Sequence, residues 1–149
     1  MPVPEGVSRT LVDAARTVGR RAILYRGWAE LSPIDDSPDC IAIGDVNQQA
    51  LLPRVAAVVH HGGAGTIAAA ARAGVPQVVL PMFGDQFYWA SRVRVLGIGA
   101  SVVGTPTTET VTTALRGALE PAVAPRSRCL AQQLHSDGAM VAARRLVAL

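Results

Sequence analysis

The segment from residue 60 to residue 66, with the sequence HHGGAGT, carries residue types that could bind a phosphate. It lies between residues 55–59, an apolar run typical of a strand, and residues 67–73, whose composition is typical of a helix. Glycines let a backbone approach an anion closely, and the free N–H groups of a helix N-terminus point toward negative charge. The spacing therefore predicts a phosphate site at a strand-to-helix junction.

Polar side chains around this turn extend the prediction. An imidazole at the carboxyl end of a strand can donate a hydrogen bond to a phosphate oxygen, which makes His60 the predicted donor. The alternative is that His60 and His61 cap the strand and bond to the backbone. Asp85 and Gln86 follow one strand later and are predicted ligands of sugar hydroxyls, although aspartate is also a preferred helix N-cap. These residues together indicate a nucleotide-linked ligand with hydroxyls at its far end.

Residues 63–68, with the sequence GAGTIA, also match the dinucleotide fingerprint G-x-G-x-x-G/A. That fingerprint normally occupies the first strand-helix turn of its fold, with an acidic residue about 20 positions later at the end of the next strand. Here at least three predicted strands precede the run, and Asp85 lies several residues beyond a strand. A dinucleotide-binding oxidoreductase domain is therefore the less favoured alternative.

The elements that must position these residues alternate along the chain. Helices are predicted at residues 7–18, 48–52, 67–73, 86–96, 109–119, 126–134 and 139–147, and strands at 22–25, 40–43, 55–59, 77–80 and 100–103. This alternation predicts an α/β fold with a doubly wound, parallel, Rossmann-like sheet. Such a unit normally opens on its central strand, whereas this chain opens on a helix, so we expect the first central strand to be lacking. A partner chain, a swapped homodimer or an upstream segment would then fill the gap.

Composition narrows the class of protein. The 149 residues correspond to one domain, half of them hydrophobic, and the arginines that produce the net charge of +3 form no basic run typical of nucleic-acid binding. No apolar segment approaches the roughly 20 residues that span a bilayer. Cys40 and Cys129 match no metal or redox spacing, and Cys40 is expected to be a buried free thiol. We expect a cytoplasmic protein without a membrane span or a nucleic-acid partner.

Several runs in order resemble one family: AVVHHGGAGT at 57–66, AGVP at 73–76, LP at 80–81, DQ at 85–86, WA at 89–90 and LGIG at 96–99. They are similar to the donor-binding half of family 1 glycosyltransferases, most of all bacterial enzymes that glycosylate glycopeptides, polyketides, sterols or glycolipids. The resemblance implies a GT-B fold, in which an N-terminal domain binds the acceptor and a C-terminal domain binds a UDP- or TDP-sugar. Residues 1–149 would be the donor-binding domain, with the acceptor-binding domain absent.

The resemblance also implies roles for individual residues. The diphosphate would be bound by His60 and by backbone amides, and the sugar hydroxyls by Asp85 and Gln86. Gly44 stands where many relatives have a tryptophan that stacks on the base, so backbone groups near Val46 and Asn47 are expected to recognise the nucleobase. Trp28 is expected to pack rather than stack. The amides implied for the diphosphate are those of Gly62, Gly63, Ala64, Gly65 and Thr66.

The implied chemistry is inverting, metal-independent transfer of a hexose to an acceptor hydroxyl, with no cofactor. The general base is expected in the absent N-terminal domain, so no catalytic residue is assigned to this chain, which alone should be inactive. Residues 35–39, with the sequence DDSPD, are predicted to be a polar turn rather than a D-x-D metal site. An alternative is a truncated or partner subunit that only binds nucleotide or assembles with an acceptor-binding domain on another chain.

Overall fold

Helices and strands alternate along the chain in the predicted order. The computed structural model describes residues 6–27, 31–135 and 137–148. In chain order the elements are α1 (Val7–Thr17), β1 (Ala22–Tyr25), β2 (Cys40–Ile43), α2 (Gln48–Leu51), a 3-10 helix (Leu52–Arg54), β3 (Val58–His60), α3 (Ala64–Ala73), β4 (Gln77–Val79), α4 (Gln86–Val95), β5 (Gly99–Ser101), α5 (Thr108–Ala118), α6 (Val123–Gln133) and α7 (Gly138–Val147). The predicted α/β class is therefore confirmed.

The strands form two parallel sheets. One pairs β1 with β2, and the other has the order β3-β4-β5. Within the described ranges, the two sheets share no strand pairing. The strand pairing in the described part of the chain is thus parallel throughout, as the α/β alternation predicts.

The core lies on both faces of β4, because successive side chains of a strand point to opposite faces. Val78 packs with Val111 and Leu115 of α5, whereas Val79 packs with Ile67 of α3 and with residues of α4. Both valines are fully buried. The helices α3 and α4 therefore cover one face of the three-stranded sheet, and α5 covers the other.

Helix α1 connects the two sheets. Its Ala14 belongs to the cluster around Val78, while its Val12 packs on Leu24 and Cys40 of the two-stranded sheet. Cys40 is buried and is a free thiol, as predicted. In the described part of the chain, no helix has both the length and the apolar character needed to cross a bilayer.

Two boundaries near the glycine turn differ from the predicted ones. Strand β3 begins at Val58 rather than at residue 55, because residues 52–54 form a 3-10 helix that continues α2. Helix α3 begins at Ala64 rather than at residue 67, with Gly63 as its N-cap. Gly65 and Thr66 thus form part of the first helical turn, although their helix propensity is low.

Residues 35–39 form a polar turn, as predicted, and Arg16 of α1 holds it. The Arg16 guanidinium donates to both Asp39 carboxylate oxygens at 2.7 and 2.8 Å and to both Asp35 oxygens at 2.9 Å. The Ser37 N–H also donates to Asp35 at 3.0 Å. Hydrogen bonds from Arg16 lower the pKa of Asp39 to about 2 and also lower the pKa of Asp35.

We expect Arg16→Gln to flatten the dependence of stability on pH between about 4 and 2. The ordinary pKa of an aspartate is about 3.9, so the unfolded wild-type chain binds more protons in this range than the folded one. Wild-type stability should consequently fall as the pH drops from about 4 toward 2. Urea unfolding at pH 5, 4 and 3 measures this slope, with Arg9→Gln as the control on the same helix. An unchanged slope in Arg16→Gln would contradict the assignment.

Candidate functional site

The turn between β3 and α3 requires glycine at position 62. Gly62 has a φ of 92°, in the left-handed region, and a Cβ at this position would lie 2.7 Å from Cγ1 of Val79. Both facts exclude a larger side chain without displacement of β4. The turn therefore brings the backbone against the central strand and directs the chain into α3.

His60 ends β3 and is held on both sides of its ring. Its Nδ1 accepts the Gly62 N–H at 3.1 Å, which places the ring proton on Nε2, 2.9 Å from Oε1 of Gln77. Burial is the main cause that lowers the pKa of His60 to about 4, with a smaller contribution from His61; the Gln77 bond acts in the opposite direction. His60 is therefore neutral near pH 7.

The expectation that His60 donates to a phosphate stays a prediction. Both ring nitrogens bond within the protein and the residue is half-buried, so a phosphate oxygen would have to replace Gln77 as the acceptor of the ring N–H. The bond from the Gly62 N–H to Nδ1 also gives His60 a structural role, because it fixes the end of β3. Gln77 is a buried polar residue on the neighbouring strand, and it accepts the only ring proton.

His61, in contrast to His60, is exposed, and its hydrogen bonds are all made by one ring nitrogen. Its Nδ1 lies 3.2 Å from the Gly63 N–H, which donates to it, and 3.2 Å from Nε2 of Gln86. A Cβ on Gly63 would lie 2.6 Å from the Cε1 atom of His61, so the ring rests against the N-cap of α3. No hydrogen bond to His61 Nε2 forms among the described residues.

The backbone amides of the turn divide into two groups. The N–H groups of Gly62 and Gly63 donate to the two histidines. Helix α3 has no side-chain cap bond, and its first intrahelical bond is from the Ile67 N–H to the Gly63 carbonyl. The N–H groups of the first turn, those of Ala64, Gly65 and Thr66, are therefore left without an intrahelical acceptor and can face an anion.

Asp85 and Gln86 lie at the start of α4 in different environments. Gln86 is only 4% exposed; its Oε1 accepts the N–H groups of Met82 and Phe83 at 2.8 and 3.2 Å. Asp85 is exposed, and although it occupies the N-cap position its side chain makes no cap bond. Its Oδ2 instead accepts the indole N–H of Trp89 at 3.1 Å. The helix-cap alternative for Asp85 thus lacks the hydrogen bond that would define it.

The residues predicted to recognise a nucleobase lie beyond β2. Val46 is 39% exposed, and Asn47 caps α2 by accepting the Ala50 N–H at 3.3 Å. An open depression of about 420 Å³ lies beside them, lined by Tyr25, Arg26, Gly27, Gly44 and Asp45. Trp28 lies outside the described residues.

Three residues that contact or line the candidate site were given no role in the prediction from sequence: Gln77, Trp89 and Arg26. Gln77 is a lone amide in an apolar strand, and that mismatch could have marked it as a partner of a buried polar group. Trp89 follows Asp85 by four residues, the spacing of neighbours on one helix face. Arg26 follows β1 directly and lines the depression near Gly44.

Comparison with known proteins gives a consistent result. Residues 9–144 match the family described as erythromycin biosynthesis protein CIII-like, C-terminal domain. The vancomycin aglycone glucosyltransferase of Amycolatopsis orientalis is 51% identical over 145 residues, which cover 97% of this chain and 36% of that protein. The chain therefore spans about a third of the length of this relative.

Solved structures of glycosyltransferases superpose on this chain. The glycotransferase of kitacinnamycin superposes with a TM-score of 0.82 at 28% identity, covering 99% of this chain and 40% of that one. The glycosyltransferase VinC, solved in complex with dTDP, gives a TM-score of 0.66 at 29% identity, covering 83% of this chain and 32% of that one.

The His60 environment predicts a loss of stability in mild acid. The ordinary pKa of histidine is about 6.5, so between pH 6.5 and about 4 the unfolded chain binds a proton that the folded chain does not. Stability should fall as the pH drops through this range, by up to about 3 kcal/mol. Urea unfolding from pH 7 to 4.5 measures the slope, and His60→Gln should reduce it. An NMR titration that places the midpoint of His60 above pH 6 would contradict this assignment.

Proposed function

This chain belongs to the EryCIII-like C-terminal domain family of GT-B glycosyltransferases, and from that membership we propose that it binds the nucleotide-sugar donor in a hexosyltransferase reaction. The donor is a UDP- or TDP-sugar, and the acceptor is a hydroxyl of a natural product, sterol or glycolipid. The reaction inverts the anomeric centre and needs no metal. The dinucleotide alternative has no comparable support, because the matched family consists of glycosyltransferases.

One arrangement carries this proposal, namely the exposed N-terminus of α3 with the rings of His60 and His61 beside it. The first-turn N–H groups of Ala64, Gly65 and Thr66 have no intrahelical acceptor, and a helix N-terminus favours a bound diphosphate. In the proposal His60 is the imidazole that donates to the diphosphate, with a phosphate oxygen replacing Gln77 as the acceptor of its ring N–H. Gly62 and Gly63 shape the turn, and their N–H groups hold the two rings.

The remaining ligand groups are assigned by chemistry and exposure. Asp85 has an exposed carboxylate near the start of α4, and the amide of Gln86 lies beside the glycine turn. These two residues are the proposed ligands of the sugar hydroxyls. The nucleobase is proposed to lie near Val46 and Asn47, beside the depression that contains Gly44. VinC, which was solved with dTDP, supports a pyrimidine nucleotide.

The proposed chemistry places developing charge on the leaving diphosphate. A general base removes the proton of the acceptor hydroxyl, the oxygen attacks the anomeric carbon, and the bond to the diphosphate oxygen breaks. Donors fixed before the reaction stabilise this charge more in the transition state than in the ground state. His60 and the N-terminus of α3 would provide that stabilisation.

The general base and the acceptor pocket are assigned to a second domain. The relatives are about three times as long as the region they share with this chain, which leaves room for such a domain in those proteins. We propose that this acceptor-binding domain joins the donor domain in a longer polypeptide, on another chain or through a swapped homodimer. The vancomycin aglycone glucosyltransferase supports a natural-product acceptor and a role in antibiotic biosynthesis. A cytoplasmic location is part of the proposal.

Calorimetric titration of the purified chain, without added metal, tests the donor proposal directly. We expect UDP or TDP, together with the matching sugar nucleotide, to bind, because the diphosphate is common to both ligands. NAD serves as the control and should not bind. Binding of NAD without binding of a pyrimidine diphosphate, or the absence of all binding by folded protein, would contradict the proposal.

Two variants separate the diphosphate and sugar contacts. His60→Ala should weaken binding of TDP and TDP-glucose, or of the UDP pair, equally by about 1.5–3 kcal/mol, as for a hydrogen bond to a charged group. Asp85→Asn should weaken only the sugar nucleotide. Trp89→Phe is the matched control, because it removes the indole N–H that bonds Asp85 and keeps the carboxylate. If Trp89→Phe and Asp85→Asn gave the same loss, Asp85 would have only a structural role.

A further inference from the structure

Arginines that are far apart in the sequence lie together where α6 meets the C-terminal ends of α3 and α4. A Cβ on Gly74, the C-cap of α3, would lie 3.1 Å from Cα of Arg128. A Cβ on Gly97, just beyond α4, would lie 3.1 Å from Nη1 of Arg126. The last turns of α3 and α4 carry further arginines beside these two. We call the resulting surface the basic patch; its members are Arg72, Arg92, Arg94, Arg126 and Arg128.

No carboxylate balances the basic patch in the described part of the chain. Helices α3, α4 and α6 contain neither aspartate nor glutamate. All members of the patch are exposed, and none forms a salt bridge with another described residue. Arg16 of α1, in contrast, is paired with Asp35 and Asp39. The charges of the basic patch therefore act together on a molecule that faces them.

Helix dipoles account for only part of this concentration of charge. The C-terminal ends of α3 and α4 each carry about half a negative charge, which arginines in their last turns offset. Arg126, however, lies in the N-terminal half of α6 and Arg128 at its centre, so neither offsets the negative end of that helix. The two helix ends together cancel about one charge, so a surplus of about four positive charges remains.

Two apolar side chains are exposed within the basic patch. Val95, the last residue of α4, is 72% exposed, and Leu96, its C-cap, is 41% exposed. A soluble polyanion gains nothing from an exposed valine, whereas a lipid bilayer presents phosphate groups and an apolar interior at one surface. Exposed apolar side chains among unpaired basic ones are therefore typical of a surface that binds an anionic membrane.

We infer that the basic patch binds the surface of an anionic membrane, with its arginines on lipid phosphates and Val95 in the headgroup layer. Helices α3 and α4 have ten residues each, so the patch lies about 15 Å from the helix ends that carry the glycine turn and Asp85. A bound membrane would therefore leave the proposed donor site uncovered. Because the two surfaces are separate, either one can fail its test without the other.

Sedimentation with lipid vesicles tests membrane binding on the purified chain, at about 0.1 M salt so that surface charges still act. We expect binding to vesicles of equal parts phosphatidylglycerol and phosphatidylcholine, and none to phosphatidylcholine alone. Combining Arg92→Gln with Arg94→Gln should weaken binding roughly 25-fold, because each basic residue near the surface contributes about fivefold. Arg20→Gln with Arg21→Gln is the matched control, since it removes the same charge from exposed positions between α1 and β1.

Val95→Ser distinguishes a membrane from a soluble polyanion, because it leaves the charge unchanged. Affinity for the anionic vesicles should fall about fivefold as apolar contact with the lipid is lost, while affinity for heparin should stay the same. Vesicle binding that Val95→Ser leaves unchanged would overturn the membrane assignment and indicate a soluble polyanion as the partner.

Three other results would also overturn the membrane assignment. These are the absence of binding to the anionic vesicles, equal binding to both kinds of vesicle, and equal losses in the two arginine pairs, which would indicate attraction by net charge alone. If the variant of Arg92 and Arg94 fails to fold, as judged by circular dichroism, Arg126→Gln with Arg128→Gln removes the same charge from α6 and replaces it in the comparison.

Discussion

The close approach of the Gly62 backbone to Val79 is the constraint on which the rest of the site depends. Strand β4 is buried on both faces, so it cannot move aside, and the chain must turn over it with a positive φ. This turn brings the end of β3 and the start of α3 together and sets the backbone of Gln86 against the same glycine. The two histidines then point in different directions, one into the sheet and one toward solvent. A phosphate bound at this turn would therefore contact backbone that the packed core holds rigidly in place.

Side-chain packing, and not strand pairing, holds the two-stranded sheet against the three-stranded sheet. No strand pairing crosses between the sheets in the described ranges, so the connection depends on α1, whose Val12 and Ala14 face different clusters. Arg16, near the end of the same helix, holds the turn that precedes β2. Apolar packing of α1 thus links the two sheets, and the exposed ion pairs of Arg16 hold the turn at residues 35–39. The ion pairs contribute less to stability than the apolar packing because water and salt screen them.

Local patterns in the sequence were sufficient to predict the elements and their class. Every predicted helix and strand is present, because apolar periodicity and glycine positions act within a few residues. The partners of the two histidine rings could not be predicted this way. They depend on Gln77 and Gln86, which are 17 and 25 residues away from the rings they contact and which meet them only after the strands pair. The motif predicted imidazoles near the turn, whereas tertiary contacts determined the hydrogen bonds of each ring. The same holds for Asp85, where propensity favours a cap and the folded chain provides an indole instead.

That indole gives the chain an optical reporter of its own. The sequence has only two tryptophans, and Trp89 donates its N–H to the carboxylate proposed to face the sugar. Indole emission depends on the polarity around the ring and on the partner of its N–H. A molecule that draws Asp85 away from Trp89 would therefore change the intrinsic fluorescence, while one that contacts only the glycine turn would leave this bond intact. The wavelength of emission could thus distinguish occupancy of the two ends of one elongated ligand without any attached label.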